Sequence, residues 1–133
     1  MNDSMIVTFP GGKKVYADYN GFEIATDQHP DSGGEGSAPE PYDLFLASLA
    51  TCAGIYVLGF CQSRNLPTED VRIVQSWERD PDTRRMETFR IRVETPEDFP
   101  QKYLKVLKRA VNQCSVKKTI LDPPEFVVEA VRG

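Results

Sequence analysis

Residues 44–63 read LFLASLATCAGIYVLGFCQS, an uncharged run with Cys52 near its centre. Pro41 suits the first turn of a helix, and Asp43 then complements the helix dipole. The run therefore predicts one long helix from about residue 41 to 62 or 64, ended by Asn65-Leu66-Pro67. A helix that is apolar all round belongs at the centre of a fold. Its 20 residues would also suffice to span a bilayer. However, Ser48, Thr51, two glycines, Gln62 and Ser63 interrupt it, and its flanks are short and mixed in charge. We read a soluble protein without a membrane partner.

Upstream of this helix the chain is β-like. Residues 5–9 (MIVTF) lead to the turn Pro10-Gly11-Gly12. Residues 14–19 and 22–26 flank Asn20-Gly21, a strong hairpin signal. The stretch 27–41 (DQHPDSGGEGSAPEP) is a long loop entering the cysteine helix, and loops of this length tend to line sites. Downstream, 71–78 (VRIVQSWE) is a strand with Val71, Ile73 and Trp77 on one face, turned by Asp80-Pro81-Asp82. Phe89, Ile91 and Val93 alternate with Arg90, Arg92 and Glu94, the period of a half-buried strand.

Asp98 to Pro100 open a second helix. Tyr103, Leu107, Ala110, Val111 and Cys114 form its apolar stripe, with lysines on the wet side. Ser115 is positioned to cap a short final helix to about Leu121. Asp122-Pro123-Pro124 stops it, and 126–131 reads as a last strand. Strands and helices in this order give an α+β fold.

The 133 residues suit a single domain, 1–133. An apolar fraction of 40% makes a lean core, which dimerisation would help to cover. A net charge of -4 argues against nucleic acid as a partner. The basic run 79–90 is broken by acids and reads as a solvated hairpin. Three cysteines without CxxC make no disulfide framework. Cys52 and Cys61 lie nine residues apart, about 900° around a helix, on opposite faces. With His29 alone in its loop, nothing calls for a metal or a cofactor. The first ten residues hold an early acid and no apolar core of a secretory signal, so a cytoplasmic location is expected.

A thiol attacks only as the thiolate, and burial alone keeps it protonated. Cys52 lies about three turns into its helix, beyond the reach of the N-terminal dipole. From the residues alone, Cys52 and Cys114 are either packed thiols or a redox pair, and Cys61 is a packing residue.

The stretch SAPEPYDLFLASLATCAGIYVL resembles the first-cysteine motif of the OsmC/Ohr family, and AVNQCSVKKTIL resembles the second. RNLPTEDVRIVQS is similar to the family's connection between helix and hairpin, and the likeness runs from about Ser37 to the C-terminus. It implies an OsmC-like α+β fold, antiparallel sheets around two central helices in an interlocked homodimer. It also implies thiol-dependent peroxide reduction. Cys52 would become a sulfenic acid, Cys114 would resolve it, and a dithiol would reduce the resulting disulfide. Apolar neighbours such as Phe45, Leu49, Tyr56 and Val111 would suit an alkyl hydroperoxide.

The family's peroxidases hold the thiolate with an N-terminal Arg, and this chain has no Arg before Arg64. Lys13 and Lys14 do not reproduce Arg's bidentate fork. Arg64 and a partner-chain residue are candidate substitutes, and no activating cation is assigned. The family carboxylate, ten residues before the first Cys, is Tyr42 here, which makes the adjacent Asp43 the expected orienting acid. The alternative is a non-catalytic OsmC-like protein that senses redox state or binds a small apolar ligand.

Overall fold

The structure, a computed structural model, describes residues 4–133; residues 1–3, where the stretch without a secretory signal begins, lie outside it. It is an α+β fold of three helices and two antiparallel sheets. The chain forms two compact units, Met1–Ala47 and Ser48–Gly133.

In the first unit, β1 (Ile6–Gly11), β2 (Lys14–Tyr19) and β3 (Phe22–Thr26) make an antiparallel sheet in sequence order. Asn20 and Gly21 both take positive φ, 49° and 80°, the signature of a type I′ turn whose twist matches the strands it joins. β1 extends through Pro10, and its ladder slips between Thr8 and Gly11. Proline has no N–H to donate there, so the slip follows from the sequence.

The loop after β3 is ordered, contrary to its composition. A 3-10 turn, Pro30–Ser32, interrupts it, capped by the His29 Nδ1 accepting from the Asp31 N–H at 3.1 Å. Asp27 organises the rest. Its carboxylate accepts from the N–H groups of Gln28 (2.7 Å), Glu35 (3.3 Å) and Ser37 (3.1 Å) and from the Ser37 hydroxyl (2.6 Å). These donors, led by the Ser37 hydroxyl, hold Asp27 down at about 2.

The long helix α1, Pro41–Ser63, begins in this unit and continues into the next. Its C-terminus is a Schellman closure. Asn65 takes the left-handed conformation (φ 53°), and the N–H groups of Asn65 and Leu66 donate to the carbonyls of Gln62 and Cys61. By length and composition α1 could cross a membrane, and one third (33%) of its most apolar window is buried.

In the second unit β4 (Arg72–Arg79) pairs antiparallel with β5 (Met86–Glu94). The Asp80 carboxylate closes the turn by accepting from the Asp82 and Thr83 N–H groups, each at 2.8 Å. α2 (Leu104–Val111) and α3 (Ser115–Leu121) follow. The core of this unit joins Ala53, Val57, Phe60 and Cys61 of α1 to Leu107 and Val111 of α2, with Ile73, Ile91 and Val93 of the hairpin packed against it. Burial of this kind contributes roughly 1.5–3 kcal/mol per large side chain. Cys61 is therefore the packing residue its position predicts, and burial raises its thiol pKa.

Two expectations fail here. Trp77 shares the parity of Ile73 but remains 43% exposed, because the helices cover only the hairpin end that carries Val71, Ile73, Ile91 and Val93. Residues 126–131 form no strand, and Phe126 is 83% exposed. A strand exists only where a neighbour completes its ladder, and among the described residues none pairs with this segment.

Candidate active site

α1 presents Cys52 on the face opposite Cys61, so Cys52 is half-buried where Cys61 is fully enclosed. The other thiol arrives from α3. Cys114, rather than the expected Ser115, is the N-cap of that helix. Its backbone is non-helical (φ -49°, ψ 121°), and its sulfur accepts from the Lys117 N–H at 3.4 Å. Ser115 is then the first helical residue, one position too late to cap. Cys114 is 1% exposed, the last member of the stripe formed with Leu107 and Val111.

The two thiols meet. The Cys114 side chain lies close enough to the Cys52 sulfur for each thiol to shift the other's ionisation. The Ser115 hydroxyl lies 3.6 Å from the same sulfur. The N–H groups of Val116 and Ser115 also point at it. These contacts, the Val116 N–H first and the Cys114 thiol second, bring Cys52 from 9.0 down to about 7. Cys114 moves the opposite way, because burial and the neighbouring Cys52 both disfavour its ionised form. The pair is thus split into an accessible, readily ionised thiol and an enclosed, protonated one. That division suits a nucleophile beside a resolving partner.

The other candidates have partners of their own. Arg64 sits at the far end of α1, about 18 Å along the axis from Cys52. Its guanidinium stacks 3.8 Å above the Phe60 ring and donates to the Phe60 carbonyl at 3.3 Å. Asp43 closes the start of α1. Its carboxylate accepts the Glu40 N–H at 3.0 Å, the returning arm of a capping box. Of the two N-terminal lysines, Lys14 pairs with Glu35 at 2.8 Å.

An apolar cavity of about 650 Å³ adjoins the pair. Cys114 forms part of its wall beside Leu49, Val93, Leu107, Val111 and Ile120. Among the described residues, no group of three or more His, Cys, Asp and Glu side chains is placed to hold a metal ion.

Two residues of this description escaped the sequence reading. Asp27 stood in the loop composition as one more polar residue, and nothing local marks it as the acceptor of four bonds. Ser115 was visible directly after the second cysteine, yet its hydroxyl faces the first.

The model of the OsmC-like protein family matches residues 34–129, which include both cysteines and parts of both units. Several solved structures share the fold. A Psychrobacter arcticus protein assigned to the osmotic-stress and detoxification response is 23% identical, with a TM-score of 0.72 over 90% of this chain and 88% of its own. An OsmC-like protein of unknown function from Vibrio cholerae is 16% identical, with a TM-score of 0.63 over 90% and 94%. An organic hydroperoxide resistance protein from Legionella pneumophila is 20% identical, with a TM-score of 0.52 over 88% of each chain. No curated protein is a significant sequence match.

Proposed function

The chain belongs to the OsmC family, and from that premise we propose that it is a thiol peroxidase reducing organic hydroperoxides or hydrogen peroxide. One observation carries the reading: half-buried Cys52, 3.6 Å from the hydroxyl of Ser115, lies beside Cys114, a buried second thiol on the wall of an apolar cavity. A packed structural thiol would be driven upward, as Cys61 is.

In this reading the Cys52 thiolate attacks the nearer peroxide oxygen. The O–O bond breaks, the sulfur gains the oxygen as a sulfenic acid, and the departing alkoxide takes a proton to leave as an alcohol. The Cys114 sulfur then attacks the Cys52 sulfur and forms a disulfide, and the hydroxyl leaves with the thiol proton as water. A dithiol reduces the disulfide by exchange and is itself oxidised. The cavity beside Cys114 gives an alkyl tail an apolar wall. Asp43 would be the orienting acid of this reading, at the start of the helix that carries Cys52. Free thiols working with a dithiol fit a reducing, cytoplasmic compartment.

The test is peroxide loss by purified protein with dithiothreitol, over hydrogen peroxide, tert-butyl hydroperoxide and cumene hydroperoxide. Turnover should require the dithiol. Absence of consumption across the panel would overturn the proposal. The cavity supports a second reading, a non-catalytic protein that binds an apolar ligand or senses redox state. That reading predicts ligand binding with no peroxide turnover at all.

A homodimer is the expected partner state. Ile55, on the uncharged helix, is 59% exposed, and so are Trp77 and the segment after Pro124 in large part. Apolar surface of this extent is uncommon on a monomer. Light scattering should find a particle of twice the 15.0 kDa chain mass; a stable monomer at micromolar concentration would refute the assignment.

A further inference from the structure

We propose that the hydroxyl of Ser115 is a catalytic group that helps to hold Cys52 in its ionised form. The proposal rests on the peroxidase reading only for its use in turnover; the ionisation itself is separately measurable.

The geometry is specific. The Ser115 Oγ lies 3.6 Å from the Cys52 Sγ, a bonding distance for an acceptor as large as sulfur. A thiolate has no proton and can only accept, whereas the hydroxyl retains its own proton and can donate. A hydrogen bond to the charged form is stronger than one to the neutral thiol, so the contact favours ionisation. The Ser115 side chain is also free of the task expected of it, because the Cys114 sulfur caps α3. Adjacent residues of one helix start thus divide the redox pair between them. Cys114 supplies the resolving sulfur, and Ser115 adds a hydroxyl donor to the attacking one, beside the Val116 N–H and the Cys114 thiol.

Of the charged side chains around the pair, Lys108 of α2 lines the cavity wall with Cys114, and the others are engaged elsewhere. Residues 44–63 of α1 contain no charged side chain. Arg64 is stacked on Phe60. On α3, Lys117 donates to the Asn112 side chain at 2.6 Å and Lys118 to the Gln113 side chain at 3.0 Å. On β5, Arg92 is paired with Glu94 at 3.0 Å. The titratable group in contact with Cys52 is Cys114 itself, which is held protonated. The other groups that favour the Cys52 thiolate, the Val116 and Ser115 N–H groups and the Cys114 thiol, are left in place by a substitution of the Ser115 side chain.

The experiment follows alkylation of Cys52 by iodoacetamide against pH, with the labelled peptide resolved by mass spectrometry so that Cys61 and Cys114 do not contribute. Wild type should show a midpoint near 7. Ser115→Ala should raise the midpoint by about half a unit, so that at pH 6 alkylation slows about threefold. Ser115→Thr keeps the hydroxyl and should stay within about 0.3 unit of wild type. Ser115 is exposed and alanine is a good helix former, so the circular dichroism and melting temperature should be unchanged. A Ser115→Ala midpoint equal to wild type would overturn the proposal, as would a Ser115→Thr midpoint equal to that of Ser115→Ala. If Ser115→Ala misfolds, the wild-type and Ser115→Thr midpoints decide, and a difference of about half a unit or more counts against it. A shifted midpoint without peroxide turnover in wild type retains the Ser115 assignment and removes the peroxidase reading. Turnover with an unshifted midpoint does the reverse.

Discussion

Cys52→Ser should lower dithiol-dependent peroxide consumption by at least ~1,000-fold, because the alcohol cannot ionise near neutral pH and no other thiol in the chain combines access with ionisation. Cys114 is enclosed and held protonated, and Cys61 is buried on the opposite face of α1. Cys114→Ser should behave differently. The first turnover survives, since the attacking sulfur and its donors from Ser115 and Val116 remain, and Cys52 sulfenic acid then accumulates. Two measurements separate the roles. A sulfenic-acid trap such as dimedone should label Cys114→Ser after one equivalent of peroxide and leave Cys52→Ser unlabelled. Steady-state consumption should fall in both variants, with a stoichiometric burst in Cys114→Ser alone. A Cys52→Ser protein that still turns over peroxide would remove Cys52 from the chemistry. An equal burst in both variants would do the same. The pH dependence has a definite sign. Cys52 ionises with a midpoint near 7, so the rate of the first step should rise as pH increases through 7 and level off above it. A rate still climbing at pH 9 would mean that the contacts around the sulfur do not lower it.

The parts of this site that depend on local pattern were legible in the chain. The uncharged run bounded by Pro41 and Asn65 specifies α1, and Asn20-Gly21 specifies its turn, because each signal acts through the backbone of its own residues. The stripe ending at Cys114 predicted that thiol's burial in the same way. The meeting of Cys52 with Cys114 was not legible from spacing, since two elements far apart in sequence converge only through packing; the family's paired motifs supplied it. The cap of α3 was misread by one residue because Ser is the commoner cap and the backbone angle of Cys114 has no sequence signature. The strand at 126–131 was misread because its composition is β-like while a strand needs a partner that composition does not supply. Asp27 stayed hidden for a related reason. Its four donors come from residues up to ten positions away, brought together by a loop whose Gly- and Ser-rich composition reads as unstructured.

That loop leads to the most demanding steric position in the chain. Gly34→Ala should destabilise the first unit by about 3–5 kcal/mol, at the extreme end of single substitutions. A methyl group at residue 34 would overlap the Gln28 carbonyl oxygen and would stand 2.5 Å from its carbon and 2.8 Å from the Gln28 Cα. All three atoms are backbone, so no rotamer change relieves the clash. Gln28 is fixed at the same place by two bonds: its N–H donates to Asp27 at 2.7 Å, and its carbonyl accepts from Gly36 at 3.0 Å. Moving it away would remove the Gln28 donor from the buried carboxylate and pull on the segment that brings the Glu35 and Ser37 donors to it. Hydrogen exchange supplies the local readout. The amides of Glu35, Gly36 and Ser37 should lose protection in Gly34→Ala, while those of the β4–β5 hairpin should keep theirs. Gly59→Ala is the matched control, because nothing lies within 4 Å of a methyl group there and the residue is inside α1. It should raise stability by about 0.5–1 kcal/mol through the lower entropy of its unfolded chain. If Gly34→Ala melts within a degree of wild type and keeps these amides protected, the loop is not held by this close approach.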